Sequence, residues 1–244
     1  MEHEFIYGIH PIKEALVRMP AQCQKLYIKD SIAQKNVADI LDLAKQARVP
    51  FVFVPEKKLE QFVGAVVHQG VVLETSGIPV QDYKVWLKNV SKENAPLVIV
   101  LDELEDPHNV GAIIRTAAAV GASAVLLPKH RQAQATGAVL KASAGTALLV
   151  PLVRIGNVNQ TLRDLKEKGW WVAGLAASPD KTFWETDLSG PLAIVVGAEG
   201  DGIREKTLEL CDLTLSIPMI GKVESLNASV SAALAMYEWK RQNK

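Results

Sequence analysis

Residues 192–205 read LAIVVGAEGDGIRE: five apolar residues, a glycine turn and the opening of a helix. An apolar run without polar alternation is the signature of a strand covered on both faces. Four further runs follow residue 96: LVIVL (97–101), AVLLP (124–128), LLVPLV (148–153) and WWVAGLA (170–176). Helical spacing lies between and after them, over 109–120, 136–142, 158–168 and 225–241. Strands alternating with helices predict an α/β fold built on a parallel sheet. In open sheets of this class ligands bind beyond the carboxyl ends of the strands.

The glycine turn excludes two nucleotide-binding readings. Its spacing is G-x-x-G-x-G, not the G-x-G-x-x-G of dinucleotide folds, and no GK[ST] follows for a Walker loop. Glu199 inside the turn would repel a phosphate and suits a cationic or hydroxyl-bearing ligand. A nicotinamide dehydrogenase is therefore set aside.

Two other stretches follow apolar strands in the same way. In LDELEDPHNVGAIIRTAAAVGA (101–122) an acidic loop leads into a helix near Asn109, where Arg115 is the one charged residue before the next strand. A half-buried arginine needs a carboxylate, a phosphate or main-chain carbonyls. Asp102, Glu103, Glu105 and Asp106 are candidates for a purely structural pair. The last stretch, SIPMIGKVESLNASVS (216–231), ends a strand, turns at Pro218 and Gly221, and starts a long helix that Ser225 or Asn227 could cap. So many small residues suit a turn whose backbone a ligand approaches.

The first 75 residues alternate short helix and strand signals and predict a small α/β domain over 1–75. Within it Gly64, His68, Gln69 and Gly70 form a polar turn before the strand at 71–73. Residues 76–96 change character and read as a linker carrying a turn or two of helix. The second domain is expected over 97–244.

The chain of 244 residues has a formal net charge of zero, so a nucleic-acid partner needs a local patch. Residues 129–168 offer one: Lys129, Arg131, Lys141, Arg154, Arg163, Lys166 and Lys168 face only Asp164 and Glu167, a net of +5. A solvated face explains the same pattern equally well. Cys23 and Cys211 lie in no CxxC pair, so neither a disulfide nor zinc is expected. No basic leader and no run near the roughly 20 apolar residues of a membrane span is visible, which predicts a cytoplasmic protein without membrane contact.

Three ordered motifs carry a resemblance: N-V-G-A-I-I-R-T-A (109–117), G-A-E-G-D-G (197–202) and I-P-M-I-G-x-V-x-S-L-N-A-S (217–229). They resemble the SpoU/TrmH (SPOUT) family of RNA ribose 2′-O-methyltransferases, over all of 97–241. Y-G-I-H-P-I-K-E-A-L (7–16) and H-Q-G-V-V (68–72) are similar to the substrate-binding domain of the RlmB-type branch. One departure is Ala228, where the family often has Val.

The resemblance implies a deep trefoil knot, S-adenosyl-L-methionine as methyl donor and a homodimer. It places the cofactor against Gly197, Gly200, Ile217, Met219, Gly221 and Leu226. It assigns the chemistry to Arg115, Asn109, Glu199, Ser225 and Asn227. RNA phosphates would meet Lys129, Arg131, Lys141 and Arg154, with the small domain selecting the RNA. The implied substrate is a guanosine in the peptidyl-transferase region of 23S rRNA. A tRNA ribose methyltransferase, or a non-catalytic RNA-binding or ribosome-assembly protein on the same fold, are the alternatives.

Overall fold

The computed structural model describes residues 4–91, 96–130, 132–176, 182–220 and 225–243. In chain order the elements are β1 (Glu4–Tyr7), α1 (Ile9–Arg18), β2 (Cys23–Lys29), α2 (Ala38–Gln46), β3 (Phe51–Val54), α3 (Glu56–Val63) and β4 (Val71–Thr75). Next come β5 (Gln81–Asp82), α4 (Tyr83–Asn89), β6 (Leu97–Leu101), α5 (Pro107–Val120), β7 (Ala124–Pro128), α6 (Gly137–Ala142) and β8 (Leu152–Ile155). The chain ends with α7 (Val158–Glu167), β9 (Trp171–Leu175), β10 (Leu192–Val196), α8 (Glu205–Leu208), β11 (Leu213–Leu215) and α9 (Ala228–Gln242).

These elements form two compact units. One is Met1–Pro79 with Ala135–Leu149, the other Val80–Gln134 with Val150–Lys244. The first holds a four-stranded sheet in the order β1-β4-β2-β3, with β4 antiparallel to both β1 and β2, and β3 parallel to β2. Ile6, Ile12, Leu26, Ile28, Ile40, Leu59 and Leu73 are buried in its core. Helix α6 packs against β1. Gly137 makes that possible, because a Cβ there would overlap the carbonyl oxygen of Phe5.

The second unit holds seven strands in the order β11-β9-β10-β6-β7-β8-β5, every pair parallel. The runs that read as doubly covered strands are so: all five residues of β6, β7 and β10 are buried. Local chemistry sets the helix ends. Asp106 caps α5 by accepting from His108 N at 2.9 Å, Pro107 takes the first position, and Gly121 closes the helix in the left-handed region (φ 79°).

Three features depart furthest from the sequence reading. The run LLVPLV enters the sheet only at Leu152, because Thr146–Leu148 is a 3₁₀ turn and Pro151 precedes the strand. The stretch read as a linker, 76–96, contains β5, which pairs with β8, and α4, which Asp82 caps through Lys84 N (2.9 Å) and Val85 N (3.2 Å). Trp86 of α4 is buried in the core of the second unit. Residues 135–149 belong with the first unit although they lie between two strands of the second.

Candidate active site

Strands β6 and β10 are neighbours in register, and β11 lies two places away. Their carboxyl ends lead into the acidic loop before α5, the glycine turn, and the turn before α9. Each turn contributes one side chain to a closed network. Asn109 Nδ2 donates to Glu199 Oε2 at 2.9 Å. Asn227 Nδ2 donates to Asn109 Oδ1 at 2.8 Å and to Glu199 Oε1 at 3.2 Å. Asn227 Oδ1 accepts from Ser229 N at 2.9 Å and from Ser229 Oγ at 2.6 Å, capping α9. The amide orientations follow from this: a carboxylate only accepts, so Asn109 must turn its NH₂ to Glu199 and its oxygen to Asn227. Both carboxylate oxygens of Glu199 are held by amides, with lone pairs to spare. Asn109 is buried (6% exposed) and Glu199 is exposed.

The glycine turn that carries Glu199 closes on itself through Ala198 N to Gly202 O and Gly202 N to Ala198 O, both 3.0 Å. Gly197 must be glycine for steric reasons, since a Cβ would run into the main chain of Gly202 and Ile203. Gly200 has φ 93° and nothing within 4 Å of the place a Cβ would take. Backbone conformation, not crowding, requires a glycine there, and the space beside it is open. Among the described residues, Gly197, Ile217, Met219 and Leu226 have no main-chain hydrogen-bond partner. Polar backbone left free at strand ends is what a ligand read through main-chain groups needs. Gly221 lies outside the described residues. Ser225 is exposed two positions before Asn227 and is not joined to the network.

Arg115 stands apart. Six residues beyond Asn109, it is about 120° around α5 and about 9 Å along it. It is exposed, and among the described residues no acidic group pairs with it. The structural pair weighed from sequence is taken by another arginine. Arg204, which precedes α8, donates to Asp102 at 2.6 and 3.3 Å and pairs with Glu103 at 3.1 Å. The Asp102 side chain is fully buried while the Arg204 side chain is 49% exposed. The hydrogen bond to Asp102 holds the guanidinium more firmly protonated than usual, against the effect of burial. Nothing in G-D-G-I-R-E singled Arg204 out, since its partner lies a hundred residues earlier. Arg204→Ala strands a buried carboxylate. Because water reaches half of the guanidinium, the expected loss is about 2 kcal/mol, below the 3–5 of a fully buried pair. Thermal denaturation should register a fall in Tm of roughly 4–8 °C; an unchanged Tm would mean water already satisfies Asp102.

Of the four cations read as an RNA patch, the three described ones divide between the two units. Lys129 and Arg154 are exposed on the second unit, where Lys129 N donates to Ile155 O at 3.2 Å beside the β7–β8 pair. Arg131 lies outside the described residues. Lys141 belongs to the first unit, half-buried, with Nζ donating to Gln69 Oε1 at 3.2 Å. Burial pulls its ammonium pKa below the usual lysine value.

The profile of the SpoU rRNA methylase family matches residues 96–237. This chain belongs to that family. A second profile, described as RNA 2′-O ribose methyltransferase substrate binding, matches residues 5–80. Among the SpoU relatives, the 23S rRNA (guanosine-2′-O-)-methyltransferase RlmB of Pseudomonas putida is 38% identical over 240 residues, 98% of this chain and 96% of the relative. A solved RNA 2′-O ribose methyltransferase superposes with a TM-score of 0.79 at 26% identity, covering 98% of this chain and 88% of the other. The SpoU methyltransferase AviRb of Streptomyces viridochromogenes, solved with its cofactor AdoMet, has the same fold, with a TM-score of 0.82 at 24% identity over 98% and 90% of the two chains. The Asn109–Glu199–Asn227 network lies inside the SpoU-matched region, and each residue comes from a different one of the three motifs.

Proposed function

We propose that this protein methylates a ribose 2′-hydroxyl of RNA, a guanosine of 23S rRNA, with S-adenosyl-L-methionine as donor. The observation that carries the reading is the Asn109–Glu199–Asn227 network at the ends of β6, β10 and β11. It fixes a carboxylate and two amides where an open α/β sheet takes its ligand. The free main chain at Gly197, Ile217, Met219 and Leu226 and the open space beside Gly200 fit this cofactor, with Gly221 completing the set. The cofactor supplies a methyl group already activated as a sulfonium. The family's knot is part of this proposal.

The chain's own residues then have distinct tasks. Glu199 accepts from a ribose hydroxyl through its spare lone pairs, while the second N–H of Asn109 and the Ser225 hydroxyl orient the sugar. Arg115 holds the adjacent phosphate and stabilises the oxyanion that develops as the 2′-oxygen attacks. A guanidinium does not give up its proton in proteins, so it acts by charge and geometry and not as a base. Arg115→Lys keeps the charge and removes the fork. We expect kcat/KM to fall about 10²-fold with the cofactor Kd unchanged; near-normal turnover would sink the role of fork geometry. Lys129, Arg131 and Arg154 meet phosphates from the second unit, and Lys141 from the first.

A homodimer belongs to the same proposal. Helix α9 packs on α5 with Ala232, Ala235 and Met236 buried, yet its outer face carries Val230, Leu234 and Tyr237 at 47, 38 and 56% exposure. These three fall within one narrow stripe of the helix, which a second copy would cover. Leu234→Asp is expected to give a monomer by sedimentation and to reduce methyl transfer more than tenfold; a dimeric or fully active variant would remove this face from the interface.

Action on ribosomal RNA supports a cytoplasmic location as part of this proposal; separately, no described helix is long and apolar enough to cross a membrane. The deciding experiment incubates labelled S-adenosyl-L-methionine and the protein with total RNA from a strain lacking it, then maps the labelled ribose. Label at a 23S guanosine supports the proposal and label in tRNA favours the tRNA alternative. With no label in any RNA, a non-catalytic RNA-binding protein becomes the better reading.

A further inference from the structure

In the first unit, the turn 64–70 and the loop after β2 line an open pocket of about 530 Å³. Its walls include Lys29, Ile32, Glu56, Val66, Val67 and His68. The volume is within the range of small-ligand sites.

The turn is fixed far more firmly than a surface connection requires. Val66 N donates to Gly64 O and His68 N to Val66 O, both at 2.9 Å. Gln69 sits at φ 56°, a left-handed conformation uncommon for a residue with a side chain, and its Oε1 accepts from Ile9 N at 3.0 Å and from Lys141 Nζ. A strained residue held by several contacts is a feature of binding sites. The effect of this bracing is to hold Val67 outward at 77% exposure.

His68 is 6% exposed. Its Nδ1 accepts from Gly70 N at 3.0 Å, which puts the proton of the neutral ring on Nε2. That N–H has no partner among the described residues. Beside it Lys29 Nζ and Glu56 Oε2 meet at 2.5 Å, with side chains 28% and 49% exposed. A pair so open to water separates at little cost when a better partner arrives.

We propose that this pocket binds one unpaired guanine base of the RNA substrate. The inference rests on the RNA methyltransferase reading and names what its first unit recognises. Guanine alone presents two adjacent N–H donors, N1–H and the 2-amino group, next to an acceptor, O6. The two oxygens of Glu56 match the donors, Lys29 matches O6, and His68 Nε2–H supplies one more donor. Val66, Val67 and Ile32 pack on the faces of the base. Single-stranded loops are where proteins read splayed-out bases in this way.

The test measures binding of the full chain to the labelled hexanucleotide UUGUUU and to the same strand with inosine or adenosine in place of guanosine. Inosine lacks only the 2-amino group. The wild type should prefer guanosine about tenfold. Glu56→Gln, at an exposed position, should erase the preference, and Val67→Asp should weaken guanosine binding several-fold. Arg115→Ala should keep the preference, because that residue belongs to the other unit. Equal binding of the three strands, a preference that survives Glu56→Gln, or one that Arg115→Ala removes would each overturn the proposal. Methyl transfer to a 23S transcript is measured on the same preparation. Label without guanosine preference defeats the pocket assignment alone, and preference without label defeats the methyltransferase reading alone.

Discussion

Gly197→Ala should abolish both cofactor binding and methyl transfer, although it adds a single methyl group. The added Cβ would occupy the place of the Gly202 carbonyl and the Ile203 amide. Main chain cannot swing away as a side-chain tip does. The turn must therefore open, breaking the two 3.0 Å bonds between Ala198 and Gly202. Glu199 is carried on that turn, so its carboxylate leaves Asn109 and Asn227. A displacement of about 1 Å in a positioning group is enough for roughly a 10²-fold loss in rate. Overpacking adds about 1–3 kcal/mol of lost stability. Calorimetry with S-adenosyl-L-methionine and a methyl-transfer assay would check this. A variant that binds cofactor normally would show that the turn is not part of its site.

Asn227→Ala should separate the two functions that Gly197→Ala removes together. Asn227 contributes no main-chain group that the substitution changes, so cofactor Kd is expected to stay within about threefold, and kcat to fall roughly 10²-fold as Glu199 loses one of its two holders. The same substitution removes the cap of α9, which costs about 1 kcal/mol and lowers Tm by roughly 2–4 °C. Asn227→Ser distinguishes the two effects. Serine caps about as well as asparagine but is too short to reach Glu199. It should restore the Tm and leave kcat depressed. If serine restored turnover as well, Asn227 would be a cap and nothing more.

Much of the second unit was legible because its signals are local. A strand buried on both faces leaves an unbroken apolar run, and β6, β7 and β10 appear where such runs stand. Asn109, Glu199 and Asn227 each follow a strand end, and a parallel sheet gathers such ends on one edge. What escaped was long-range. Arg204 claims Asp102 and Glu103 from a hundred residues away, and no spacing rule announces that. Asp82 and the β5–β8 pair turned an expected linker into part of the sheet, since a strand of two residues has no periodicity to read. Lys141 was grouped with Lys129 and Arg154 by charge alone, whereas Gly137 lets its helix pack on β1 in the first unit. Small residues permit close approach without saying to what.

The split membership of residues 135–149 also has a consequence during synthesis. A nascent chain that has just delivered Pro79 has not yet delivered α6, which packs against β1. That helix is complete only at Ala142, and the segment that carries it only at Leu149, about 70 residues after Pro79. At about 5–20 residues per second the ribosome takes several seconds to make them. Throughout that interval the first unit waits unfinished while β6 and β7 emerge. The first unit therefore receives its last residues only after part of the second has been made.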